Sequence, residues 1–293
     1  MSRFDFTLAI GDDALIAAQR LGEWTSRAPE MEEDIALANI ALDQLGAARL
    51  LLTYAGELEG AGRDEDDLAF LRDDREFRNC LLVELPNGDF GVTMAKLFFL
   101  AAYQVPLYTA LAGCGDERLA AVGAKARKES AYHLDHAALW VKRLGDGTEE
   151  SHRRMQDAVD EVWPYVHELF TPDPAAPVDP STLRADFDAT VSAVLDEATL
   201  TRPETRWAPG GGRDGLHTEH LSYLLAEMQV LHRAHPGATW GLPGRPRRRW
   251  WTRRSGSSPS TSWASCARST RNRAPAGSSS PSPPPTPAAR PWT

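Results

Sequence analysis

Cysteine is nearly absent from this chain. Cys80, Cys114 and Cys266 are too few and too scattered for a disulfide framework or a zinc knuckle, and a reducing cytoplasm is the setting that fits. No uninterrupted apolar run reaches the roughly eighteen residues of a membrane span, and the first residues carry no secretory pattern. The lack of a Gly-x-Ser-x-Gly element excludes a nucleophile elbow. Gly210, Gly211 and Gly212 have neither the Walker lysine nor the Rossmann spacing, so they make no phosphate loop. No stretch alternates apolar and polar residues as a strand would. Basic charge is short too. Ten of the 32 Lys and Arg lie past Trp240, leaving 22 against all 41 Asp and Glu, a net of −19 over residues 1–240. A surface of that sign repels nucleic acid and suits a basic partner protein.

What is present is helical spacing. A first helix reads over 5–24, and a second over about 30–59, with Met31, Ile35, Ala38, Leu42, Leu45 and Leu52 on one stripe. Glu30, Glu32, Glu33 and Asp34 crowd the start of the second, where the helix dipole favours them. A charged helix over 63–80 and a loop over 81–90 follow. The next helix, 92–112, is interrupted by Pro106, which predicts a kink. Further helices read over 119–144, 149–169 and 218–234, and a helix, or a helix and turn, over 181–200, with a Pro-rich surface connector from Thr171 to Pro180. The pattern predicts an all-α bundle of about seven helices with four long ones in the core.

The helix over 119–144 carries the candidate chemistry. Leu119, Val122, Ala126, Ala137, Trp140 and Leu144 recur at steps of three and four, and Glu129, His133 and His136 fall on the same face. A carboxylate and two imidazoles facing a bundle interior suggest a di-iron carboxylate site, which needs a Glu from each of two helices and Glu-x-x-His from two more. The other helices do not supply that set. The second helix offers Asp43-Gln44-Leu45-Gly46, with Gly where an imidazole belongs; the first offers Asp12, Gln19 and Glu23, and the third Gln104. Glu129, His133 and His136 are therefore expected to form a hydrogen-bonded polar cluster in the core, with no metal and no catalytic residue in this chain. His217, Glu219 and His220 include a His-x-Glu, but the Pro-Cys-x-x-Cys of zinc deaminases is missing, and a role at a helix start or in partner contact is expected. His232 and His235 close the last helix, where cations are favoured.

Several stretches carry a family resemblance: RLGEW at 20–24, RAPEMEEDIALANIALDQLGAAR at 27–49, LVELPNGDF at 82–90, KESAYHLDHAALWVKRLGDGTE at 128–149, DGLHTEHL at 214–221 and LLAEMQVLHRAHPGATW at 224–240. In order and spacing the chain resembles the C-subunit family of the multicomponent phenylacetyl-CoA epoxidases, the ring-activating oxygenases of aerobic phenylacetate degradation. The resemblance implies a ferritin-like fold that has lost its metal ligands. It also implies a structural, non-catalytic subunit that pairs with a di-iron catalytic A subunit, with flavin and iron–sulfur groups in a reductase subunit. Glu129 and His133 would then be relics of a metal-binding ancestor. The rival expectation is a free-standing di-iron oxidase or iron-binding bundle.

Residues 241–293 do not continue the pattern. They contain no Val, Ile, Phe, Tyr, Met, Lys, Asp or Glu, but ten Pro, eleven Ser, ten Arg and four Trp. Such a composition predicts a disordered tail behind a helical domain at 1–240. Back-translated with GC-rich codons and read one base earlier, 250–268 and 278–293 give protein-like strings resembling the small D protein that accompanies this oxygenase. The tail is accordingly expected to be a frameshifted reading of a neighbouring gene.

Overall fold

Ser2 starts the first helix with a capping box: its hydroxyl accepts from Asp5 N, and the Asp5 carboxylate answers at Ser2 N. In the computed structural model, which describes residues 1–205 and 207–238, nine α-helices follow in chain order. They are α1 (Arg3–Gly22), α2 (Met31–Glu59), α3 (Glu65–Phe70), α4 (Leu81–Glu84), α5 (Phe90–Ala112), α6 (Glu117–Gly145), α7 (Glu149–Val162), α8 (Arg184–Glu197) and α9 (Glu219–Ala234). Short 3-10 turns join them, and no strand occurs among the described residues. The fold is an all-α, ferritin-like bundle. Residues Met1–Thr239 make one compact unit. The disorder and shifted-frame origin expected for the tail lie outside the described residues.

The core consists of two helix pairs, α1 along α2 and α5 along α6, joined where α2 meets α6. Every residue from Phe6 to Ala18 in α1 and from Gly91 to Gln104 in α5 is buried. These two are the central helices, covered by neighbours on nearly every side through those stretches. The α5–α6 pair is close enough to require a glycine: a Cβ on Gly123 would stand 2.7 Å from Ala112 N and 2.8 Å from Tyr108 O.

Four expectations change. Of the stripe expected on α2, Leu52 is buried and Ala38 and Leu45 are half-buried, but Met31, Ile35 and Leu42 are exposed, and the buried face is otherwise Leu37, Ile40, Gln44, Ala47, Ala48, Leu51 and Ala55. Apolar residues occupy both faces, so periodicity alone did not say which one is inside. The helix expected over 63–80 breaks into α3, a turn at Asp74–Glu76 and extended backbone. Asp64 and Asp73 each open a capping box, and Arg72 turns inward to meet Asp12. The helix over 149–169 becomes 3-10 after Val162, because Pro164 has no amide hydrogen and its ring crowds the preceding turn. Finally, the segment expected as a loop over 81–90 holds the short helix α4 at Leu81–Glu84.

Candidate functional site

His133, buried where α6 meets α2, is the centre of the expected site. Its Nε2 lies 3.1 Å from Asp43 Oδ2, and its Nδ1 a long 3.5 Å from Gln44 Nε2. Gln44 donates to Gln104 Oε1 at 2.8 Å, and Gln104 donates back to Gln44 Oε1 at 3.1 Å. One arrangement of protons satisfies this chain of groups. The Nε2–H donates to Asp43, and the Nδ1 lone pair accepts the second amide proton of Gln44. The imidazole is then neutral. Burial lowers the His133 pKa accordingly, although the Asp43 bond and charge pull the other way.

Glu129, His133 and His136 share a helix face without bonding to one another. Glu129, half-buried at the edge of that face, takes the Lys125 ammonium one turn earlier. His136 Nε2 stands 3.2 Å from Glu33 Oε2 of α2, yet the pair is out of line, and both atoms are buried without a hydrogen bond. The expected cluster is thus three separate pairings of α6, two of them with α2. Where an imidazole would project from α2, Gly46 leaves room, and the nearest atom to its missing Cβ is Lys125 Nζ at 3.9 Å. On α1, Asp12 is held by Arg72 and by Arg78 N, and Glu23 by Arg20. Among the described residues, no three His, Cys, Asp or Glu side chains converge as a metal ion would need.

Composition and spacing did not reveal a second polar centre, at the junction of α1, the 72–85 segment and the loop before α9. Buried Asp13 accepts from Arg213 at 2.6 Å and from Cys80 N at 2.7 Å. Glu84, fully buried, takes His217 Nδ1 at 2.8 Å, Asn79 Nδ2 at 2.8 Å and Thr218 N at 2.6 Å. Burial works against a charge on His217, but the bond to Glu84 and its charge outweigh that, and the His217 pKa is raised. His217 therefore serves the start of α9, while Glu219 is exposed and the His220 carbonyl accepts from Arg20. His232 stacks on Phe70, with ring centroids 4.1 Å apart.

The glycine loop does cradle an anion, but an internal one. Glu168 accepts from Gly211 N at 3.0 Å, Gly212 N at 2.7 Å and Leu81 N at 2.7 Å. Gly211 adopts a φ of 111°, and a Cβ on Gly212 would stand 2.3 Å from Asn79 O, so the cradle needs both glycines. Burial raises the Glu168 pKa in spite of these amide donors and Arg213. The one signal for this centre was Asp12-Asp13 inside the apolar run of α1, since acids so placed must find partners.

Lys96 is the remaining buried charge. It reaches the Leu85 carbonyl, the Pro86 carbonyl at 3.2 Å and Asn87 Oδ1 at 3.4 Å, and so ties down the Leu-Pro-Asn-Gly turn at 85–88. Burial, and next the charge of Arg20, bring its pKa down to about 7.

The family described as phenylacetic acid catabolic protein matches residues 1–240. The chain is 50% identical over 243 residues to the C subunit of 1,2-phenylacetyl-CoA epoxidase from Escherichia coli (strain K12), a match that covers 80% of this chain and 98% of the relative. The match runs through all of the described residues. On that extent of agreement, the chain belongs to the phenylacetic acid catabolic protein family.

Proposed function

We propose that within phenylacetate catabolism this chain is the non-catalytic structural subunit of a phenylacetyl-CoA 1,2-epoxidase complex. It pairs with and supports a di-iron catalytic A subunit, and a reductase subunit with flavin and iron–sulfur groups supplies electrons. The complex works in the cytoplasm, away from nucleic acid and membrane. The observation that carries this reading is the state of His133, with both ring nitrogens engaged by Asp43 and Gln44. The Gln44–Gln104 amide pair stands beside it in place of carboxylates, and Gly46 stands in place of an imidazole. Neutral amides and a nearby ammonium are a poor donor set for two ferrous ions, which want carboxylate oxygen and free imidazole nitrogen. The residues present do not fit a di-iron centre, and no step of the reaction is routed through this chain.

Metal analysis of the purified chain, paired with reconstitution, tests the reading. The expected result is iron far below stoichiometric in the chain alone, with epoxidation by the catalytic and reductase subunits dependent on adding it. About two irons per chain, held at full occupancy, would instead mark the chain as a di-iron oxidase or iron-binding bundle in its own right.

A further inference from the structure

We propose that Lys96 is a site of carbon dioxide uptake, its side-chain amine forming a carbamate in the cavity beside it. The site belongs to α1, α4 and α5 and does not depend on the role proposed above for the chain. A cavity of about 30 Å³ lies between these helices, walled by aliphatic side chains that include Ala17, Leu82 and Leu97. Arg20 and Lys96 are its two charged lining residues. One water needs about 10–15 Å³, so the space takes a molecule of two or three heavy atoms. An aliphatic wall penalises water and bicarbonate, which must give up hydrogen bonds to enter, and favours a small uncharged molecule without a dipole. Carbon dioxide meets both limits, of size and of polarity, and an amine is the group it reacts with.

The amine is prepared for that reaction by its surroundings. Lys96 is 7% exposed, and its partners are neutral: the Leu85 and Pro86 carbonyls and Asn87 Oδ1, the last two at 3.2 and 3.4 Å. Buried cations are ordinarily paired with an anion, yet among the described residues no carboxylate pairs with this one. Glu23 is held by Arg20 and Asn87, and Glu161 of α7 is exposed. Desolvation and a neighbouring cation, here Arg20, are the two conditions that make a lysine nucleophilic, and they bring its pKa down to about 7. The nitrogen lone pair attacks the carbon of carbon dioxide, an N–C bond forms, and one C–O π bond opens onto oxygen. Starting from the ammonium, the step yields the carbamate anion and two protons, which leave to solvent past the exposed Pro86 and Gly88. The carbamate keeps one N–H for the Leu85 carbonyl. Arg20 gives Nε and Nη2 to the carbonyls of Glu84 and His220 and one Nη1 hydrogen to Glu23, which leaves a second Nη1 hydrogen for the new anion. An unpaired buried cation thereby becomes the anionic half of an ion pair.

The test uses the full chain in mildly alkaline buffer with carbon-13-labelled bicarbonate as the source of carbon dioxide. Carbon-13 NMR detects the carbamate, and alkylation with a trialkyloxonium salt traps it so that peptide masses locate the adduct on the wild-type chain. The expected result is a trapped carboxyl group on Lys96. Lys96→Arg, which keeps the cation but not the nucleophile, should lose the corresponding resonance. Ala17→Val narrows the cavity without touching the amine, and circular dichroism confirms that it folds; its adduct should fall at least about tenfold. A melting temperature compared at equal pH and ionic strength gives a second readout. It should rise with carbon dioxide in the wild-type chain and stay put in Lys96→Arg, since a ligand taken up by the folded state alone stabilises it. No adduct on Lys96 in the wild-type peptide map overturns the proposal, and this outcome needs no variant to fold. A resonance that survives Lys96→Arg would assign the carbamate to the α-amino group or to surface lysines and overturn it equally.

Discussion

Lys96 shows how one buried charge imprints itself on the pH dependence of stability. Its pKa is brought down to about 7 in the folded chain, while the unfolded lysine keeps its proton to the ordinary value of 10.5. Between those limits the unfolded state binds more protons, so this residue makes stability rise with pH across that window. Lys96→Met should flatten the rise, which equilibrium unfolding in urea at pH 7 and pH 9.5 measures directly. His133 carries a prediction about role. His133→Phe removes the acceptor for one Gln44 proton, and the unsatisfied amide should cost about 1–3 kcal/mol. The chain should still fold and support epoxidation in the assembled complex. A helical, partner-binding variant with no epoxidation would falsify the structural role given to this histidine.

Two glycines of the long helices should respond to the same substitution with opposite sign. Gly123→Ala puts a methyl group against the backbone of α5, where only a shift of the helices relieves it, and overpacking of this kind costs about 1–3 kcal/mol. Gly46→Ala meets nothing closer than the mobile end of Lys125, and a helix-interior alanine gains up to about 1 kcal/mol over glycine. Thermal melts of the two variants should therefore move in opposite directions. The sequence announced neither result, since both glycines sit in comparable helical patterns. What differs is the distance to a neighbouring helix. The same gap explains how α2 was misread: Met31, Ile35 and Leu42 keep perfect helical spacing, and nothing local says that Leu37 and Ile40 face the core instead. Helix existence was legible because periodicity and caps are local. Fragmentation of 63–80 was only half-legible, since the capping boxes at Asp64 and Asp73 are local while Arg72 meets Asp12 sixty residues away.

At the scale of the molecule, the residue types at the candidate positions were legible and their pairing was not. Counting Glu, His and Gly at ligand positions needs only helical spacing, and it led to Asp43 and Gln44, which contact His133, and to Gln104, which pairs with Gln44. Which of Glu129, His133 and His136 touch each other depends on how α2 lies across α6, and the three proved to have separate partners. The buried centre at Asp13, Glu84, Glu168 and Arg213 was hidden for a similar reason, as its members come from segments far apart in the chain. Net charge needs no geometry at all. With −19 over residues 1–240, association with a basic partner face should be steered electrostatically. Its on-rate should fall several-fold as the Debye length shrinks from about 30 Å at low salt to about 8 Å at physiological ionic strength. Stopped-flow mixing across that range checks it, and a rate indifferent to salt would show that charge does not steer the encounter.

The open side of α2 also bears on how the chain behaves alone in solution. Met31, Ile35 and Leu42 then meet water, and other chains bearing the same stripe, with only mutual repulsion between acidic bodies to keep them apart. Colloidal stability of the orphan chain should therefore fall with ionic strength, even where salt strengthens the fold itself. Dynamic light scattering of the isolated chain should report a small particle at low salt and growing particles as sodium sulfate screens the charge and strengthens apolar association. Leu42→Asp should suppress that growth. On these grounds the acidic surface is what keeps an exposed apolar stripe in solution.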